Sequence, residues 1–369
     1  MNRIPFVFLI ILLALGVESV CAAPAEYLTD VWTSEKGLPD SSVTAIAQTP
    51  DGYLWIGTYN GLARFDGVRF VTFDPANTPA LTHARVRRLF VDVQGTLWVN
   101  TYDGSLTSFR NEAFALERPG GGSGDADAVL ALSSSNSVTF MLGHGYIFRK
   151  PVSAPAAQGW QTFEPPSRMF AALCGGDGEG AVWYRGRDSR LWRLREGRFE
   201  LLPEPSGLVG QRINCMDTSP EGRLWVGTER ELAVWNGARF QNVTPTNGTP
   251  AAAFTFLAVG AGGRFWTVAD DRVREGMGGR WLLEAESLRG VFTGNLSRMG
   301  AQEDHQAGAW LYDYGRGLFH VEPDGQSRRL SPEDGFPGDR VTCFFEDREG
   351  NWWAVLDPGG LVRVRERRF

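Results

Sequence analysis

From residue 43 onward the chain alternates short apolar runs with polar turn dipeptides. Between Ser42 and Asp74 the runs are Val43 to Gln48, Tyr53 to Thr58, Leu62 to Phe65 and Val68 to Phe73, separated by Asp51-Gly52, Asn60-Gly61 and Asp66-Gly67. The runs are rich in β-branched and aromatic residues, which suit a pleated surface, and Asn-Gly or Asp-Gly supplies the positive φ that tight hairpins require. The pattern predicts a four-stranded antiparallel meander. Similar punctuation returns at Gln94-Gly95, Asp103-Gly104 and Asn111-Glu112, and again at Glu221-Gly222, Arg230-Glu231 and Asn236-Gly237. In the second run, Leu54-Trp55-Ile56-Gly57-Thr58 reappears as Leu97-Trp98-Val99-Asn100-Thr101 and as Leu224-Trp225-Val226-Gly227-Thr228. Side chains alternate faces along a strand, so Trp55 and Gly57 share one face while Leu54 and Ile56 share the other. Both faces are predicted to be buried, with Trp filling the gap to a neighbouring sheet and Gly making room for an adjacent side chain.

The run-opening aromatics are Trp55, Trp98, Phe140, Trp183, Trp225, Trp266, Trp310 and Trp353, spaced 41 to 44 residues apart. Repeats of this length are the signature of four-stranded propeller blades. The expected fold is all-β, a single β-propeller over residues 24–369. Eight blades are expected, with seven as the alternative because the third copy, around Val138-Thr139-Phe140, is degenerate. The last repeat supplies strands at Arg340 to Glu346, Asn351 to Leu356 and Leu361 to Arg365 and lacks a fourth. Tyr27 to Thr33 is predicted to fill that place, closing the ring and removing an exposed sheet edge.

Residues 1–23 read as a signal peptide: Asn2 and Arg3, an apolar stretch from Ile4 to Val17, and the small residues Cys21, Ala22 and Ala23. A periplasmic or secreted protein is expected, with no membrane span after cleavage. Net charge is −6 with both signs dispersed, which argues against nucleic acid as a partner. Cys174, Cys215 and Cys343 share the innermost-strand phase and read as small buried hydrophobes. Neither they nor His83, His144, His305 and His320 have metal-site spacing, so no metal and no cofactor are expected. Asp304-His305 is the tightest acid–histidine pair in the sequence. No catalytic constellation is identified.

Gly37-Leu38-Pro39, Val43, Asp51 to Thr58 and Gly61-Leu62-Ala63-Arg64-Phe65-Asp66-Gly67 together resemble the two-component regulator propeller repeat. The second, fifth and eighth copies resemble it well, and the others keep mainly the aromatic and its spacing. The resemblance implies the periplasmic sensor of a bacterial receptor whose cytoplasmic half is a histidine kinase or a diguanylate cyclase, with an oligosaccharide as a ligand in some members. No linking sandwich, membrane helix, kinase or cyclase is recognised after the repeats. The expectation is therefore either the sensor portion of a longer receptor or a free binding protein that signals through a partner. A protein-interaction scaffold and a glycan hydrolase or lyase are the alternative readings.

Propeller ligands usually meet the mouth of the central channel, where second-to-third-strand loops and blade-linking loops converge. The candidate ligand-binding residues there are Tyr59, Asn60, Tyr102, Asp103, His144, Arg187, Arg316 and Asp357. Flat aromatics beside amides, acids and guanidiniums can stack on sugar rings and satisfy hydroxyl groups. The blade-linking loop from Asp74 to Arg85 is the longest clean insertion and a candidate partner surface.

Overall fold

A computed structural model describes residues 27–366, except for 119–129, 134–136, 142–145, 152, 156–157, 168, 177–180, 189, 203–211, 249–252, 295, 297 and 305. The predicted leader and His144 lie outside the described residues, as does His305. Among the described residues the chain forms eight four-stranded antiparallel sheets. Phe140 lies in the second strand of the third sheet, Ser137–Met141, so the degenerate copy is a blade like the others and the count is eight.

Blade 1 shows how closely turn chemistry sets strand limits. Its strands are Val43–Gln48, Leu54–Thr58, Gly61–Phe65 and Phe70–Phe73. The fourth starts two residues later than the apolar pattern predicts. Asp66 explains the delay: its Oδ1 accepts from the amides of Val68 at 2.8 Å and Arg69 at 2.6 Å, holding both in the turn. Val68 is left 80% exposed.

Innermost strands of successive blades adjoin through most of the ring. Val43–Gln48 packs on Val86–Val91, Ile213–Thr218 on Phe254–Val259, and Val341–Glu346 returns to Val43–Gln48. The N-terminal strand Tyr27–Trp32 completes the last blade as its outermost strand, antiparallel to Gly360–Glu366 with Tyr27 opposite Glu366 and Trp32 opposite Leu361. Asp30 fixes that register by accepting from Arg363 Nη2 at 2.7 Å and Arg365 Nη2 at 2.8 Å. Both chain ends are thereby tied into one sheet, and the C-terminal strand Gly360–Glu366 is covered on both sides.

The core lies between blades. Trp353 of the last blade clusters with Ile56 and Phe65 of the first, and Trp225 of blade 5 with Phe254 and Phe265 of blade 6. Glycine two residues after the tryptophan is a packing requirement. A Cβ on Gly57 would meet Val86 Cγ1 of the next blade at 2.5 Å, and one on Gly227 would meet Cys215 Sγ at 2.6 Å. Cys215 is buried and Cys343 half-buried, both unpaired, and burial pushes their thiols up to about 12 and about 11.

One recurring device was not anticipated from the repeat pattern. Six residues before the blade tryptophan, a turn side chain accepts its indole N–H: Thr49 for Trp55 at 2.9 Å, Asp92 for Trp98 at 2.9 Å and Asp347 for Trp353 at 2.7 Å. The same carboxylates bind turn amides, Asp92 those of Gln94 and Thr96, and Asp347 those of Glu349 and Asn351. The turn and the interblade core are therefore tied by one side chain. Blades 5 and 6 have Ser219 and Gly260 at this position, and the indole nitrogens of Trp225 and Trp266 are buried without an acceptor.

Candidate functional site

The strand order puts second-to-third-strand loops and blade-linking loops on one face, and a repeated backbone hydrogen bond joins them. Tyr59 donates to the carbonyl of Ser42, Tyr102 to Arg85, Gly315 to Asp339 and Asp357 to Arg340, at 2.9 to 3.1 Å. Blades 1, 2 and 8 thus present, at the channel mouth, the residue after the second strand beside the residue before the first, and the Gly315–Asp339 bond ties blade 7 to the segment leading into blade 8.

At the junction of blades 8, 1 and 2 these positions carry interacting side chains. The Tyr59 hydroxyl donates to Asp357 Oδ2 at 3.0 Å, bridging blade 1 to blade 8. The Arg85 guanidinium lies 3.8 Å from the Tyr59 ring centre and 4.5 Å from that of Tyr102. Arg87 approaches the Tyr102 ring at 5.0 Å, and the His83 ring sits 5.9 Å from it. Tyr314 of blade 7 extends the strip: its ring is approached by Arg298 at 4.7 Å and Arg340 at 5.8 Å. Burial, the Asp357 hydrogen bond and charge, and the nearby Tyr314 raise the Tyr59 phenol above its ordinary value, with Arg85 acting in the opposite sense. Tyr59 is therefore a neutral donor at physiological pH. The strip has flat rings, cationic edges and one carboxylate, properties that fit ring stacking and recognition of hydroxyl or acidic groups.

The candidate residues divide accordingly. Tyr59, Tyr102 and Asp357 come together in this strip. Asn60 is exposed beside them, with its backbone amide held by the Thr58 hydroxyl. Asp103 accepts from Thr82, Thr101 and Ser105, so its carboxylate fastens the Asp74-to-Arg85 loop to blade 2. Those hydrogen bonds lower its pKa against the opposing effect of burial. Arg316 donates to the carbonyls of Val291 and Thr293 and to Asp313, so it braces the linker into blade 7. Arg187 is exposed on blade 4 and touches none of the strip residues. The residues missed were Arg85, Arg298, Tyr314 and Arg340. A signal for two of them exists: Arg85-Val86 and Arg340-Val341 repeat an arginine immediately before the innermost strand, as does Arg212-Ile213.

Among the described residues, the tightest acid–histidine pair joins Asp304 to His320. Asp304 Oδ2 lies 2.5 Å from His320 Nε2, and His320 Nδ1 is 2.8 Å from Glu322 and 2.9 Å from the Tyr27 hydroxyl. Asp304 occupies the position six residues before Trp310. His320 is 4% exposed, between blade 7 and the N-terminal strand, and so belongs to the interblade framework.

Comparison with known proteins bears on the fold and the repeat. Residues 37–60 match the family model described as two component regulator propeller. No curated protein matches the sequence. The extracellular domain of the putative hybrid two component system BT3049 from B. thetaiotaomicron superposes with a TM-score of 0.53 at 16% identity, over 92% of this chain and 42% of that one. This chain thus spans about two fifths of that domain's length. A catalytically inactive virginiamycin B lyase from Staphylococcus aureus with quinupristin gives 0.54 at 10% identity, covering 93% of this chain and 100% of that one. The C-terminal WD40 domain of Sif2 gives 0.60 at 10% identity, covering 89% and 96%. At these identities the superpositions speak for the fold, which hosts binding modules and enzymes alike. Among the described residues the chain is an eight-bladed propeller, and its residues 37–60 match the two component regulator propeller model.

Proposed function

We propose that this propeller is a non-catalytic, periplasmic ligand-sensing module of a bacterial signalling system. In this reading the strip at the channel mouth takes up an oligosaccharide, and a membrane histidine kinase or diguanylate cyclase responds to the occupied state. The observation that carries the proposal is the Tyr102–Arg85–Tyr59–Asp357 chain, which sets two tyrosine rings, a guanidinium and a carboxylate side by side across three blades. Rigid strands end directly at these residues, so the rings are held in place before a ligand arrives and little ordering cost attends binding. The repeat match and the likeness to an extracellular receptor domain support a sensor role. A ligand bridging blades 8, 1 and 2 would alter their relative packing, and the Asp74-to-Arg85 loop, anchored through Asp103, would pass that change to a partner surface.

A thermal-shift screen of the purified chain against a panel of oligosaccharides tests this, because a ligand that binds only the folded state raises its stability. A saturable shift that Tyr102→Ala abolishes is expected. Absence of any shift across a broad panel would sink the oligosaccharide reading. Turnover of a glycan, lost on substitution of a channel-mouth carboxylate, would show an enzyme instead.

A further inference from the structure

Resting on the reading of the channel mouth as an oligosaccharide site, we infer that the ligand is an acidic oligosaccharide, recognised through its carboxylate or sulfate groups by the arginines at the starts of blades 2 and 8 and in the linker into blade 7. The chain as a whole is acidic, with a net charge of −6, yet the strip gathers Arg85, Arg87, Arg298 and Arg340 around three tyrosines. Several other arginines among the described residues are paired with acids, although not all are. Arg363 and Arg365 meet Asp30, Arg272 and Arg274 meet Glu284, Arg193 meets Glu200, and Arg316 meets Asp313. By contrast Arg85, Arg298 and Arg340 have aromatic faces as neighbours and no acid within ion-pair distance. The carboxylate that reaches the strip, Asp357, is taken by the Tyr59 hydroxyl.

A guanidinium lying on a ring keeps its N–H fork directed outward along its edge, and that planar fork matches carboxylate or sulfate oxygens. Stacking between Tyr59 and Tyr102 also limits the rotamers of Arg85, so less entropy is lost when an anion is bound. Arg298 and Arg340 are exposed and reach Tyr314 from two different blade-linking segments. Cations are thus placed at both ends of a tyrosine-lined strip. Such spacing suits a chain of sugars with more than one negative group better than a single small anion.

Isothermal titration of the full chain with trigalacturonic acid, and separately with its neutral methyl ester, tests the inference. A sulfated disaccharide and its desulfated counterpart form a second arm that separates carboxylate from sulfate recognition. In at least one arm the anionic probe is expected to bind about ten-fold or more tighter than its neutral partner, with the difference shrinking as salt is raised. Arg340→Ala and Arg298→Ala, both surface changes, are each expected to weaken that binding several-fold. Arg69→Ala, in an exposed turn between the third and fourth strands of blade 1, is expected to leave it unchanged. Equal binding of acid and neutral probes would overturn the inference while leaving the oligosaccharide reading in place. Failure of all four probes, or anion binding unaffected by both strip variants, would also overturn it.

Discussion

Trp353 and Trp266 occupy the same place in two blades and are each 2% exposed, but only one has an acceptor for its indole N–H. Trp353 donates to Asp347 Oδ2 at 2.7 Å, whereas the residue six before Trp266 is Gly260. A Cβ on Gly260 would sit 2.7 Å from Glu303 Oε1, so any side chain there requires the Glu303 carboxylate to move. Replacing each tryptophan with phenylalanine removes the indole N–H and a similar apolar area. The area loss and imperfect repacking are common to both, so the difference isolates the hydrogen bond. A bond to a charged acceptor contributes about 1.5–3 kcal/mol, and its loss also leaves Asp347 Oδ2 with only the Asn351 amide. Trp266→Phe instead removes a buried donor that had no acceptor, whose desolvation penalty is about 1–3 kcal/mol. Trp353→Phe should therefore cost at least about 1.5 kcal/mol more than Trp266→Phe. Urea unfolding followed by far-ultraviolet circular dichroism, compared at equal slope, measures the difference. Equal losses would refute the claim that the turn residue anchors the blade tryptophan.

Two further outcomes follow from buried charges. His320 has its pKa raised: burial alone would lower it, but the hydrogen bond to Asp304 and the charges of Glu322 and Asp304 outweigh burial. Its contribution is thus fully present below the unfolded histidine value of about 6.5 and is lost as pH rises through the folded value. His320→Gln should flatten that loss in unfolding free energy measured from pH 6 upward, and an unchanged pH profile would remove His320 as its source. Lys150 and Glu117 form a pair between blades 2 and 3 at 2.7 Å with both side chains at least 95% buried. Lys150→Met should cost about 3–5 kcal/mol by leaving Glu117 uncompensated, and the double variant with Glu117→Gln should recover much of it. A double variant as unstable as the single one would count against charge as the cause.

Much of this architecture was legible because a repeat states its own fold. Asp-Gly and Asn-Gly turns placed the strands of blade 1 to within two residues, and the missing fourth strand of the last repeat pointed to Tyr27–Trp32. The Trp–Gly pairing also read correctly, since Gly57 and Gly227 have neighbours where a Cβ would stand. The site was legible only in part. Loop position identified Tyr59, Tyr102 and Asp357, but sequence adjacency says little about which loop side chains meet across blades. Arg85 and Arg340 belong to the blade-linking segments, and their importance appears only when backbone pairing sets them beside Tyr102 and Asp357. Arg316 and Asp103 illustrate the reverse case, exposed-looking polar residues whose hydrogen bonds hold loops together. Asp304 and His320 are sixteen residues apart in sequence and meet across the strand Ala309–Asp313, where Asp304 follows the strand paired on one side and His320 lies opposite Trp310 in the strand paired on the other.

Hydrogen–deuterium exchange of the full chain, free and saturated with the oligosaccharide that gives the largest thermal shift, tests the central claim most directly. Protection is predicted at Tyr59–Asn60, at residues 83–87, at Tyr102–Asp103 and at residues 340 and 357, which converge at the channel mouth. Protection confined to the outer strands, or to the gap between blades 2 and 3, would contradict the assignment of the Tyr102–Arg85–Tyr59–Asp357 strip as the sensing site.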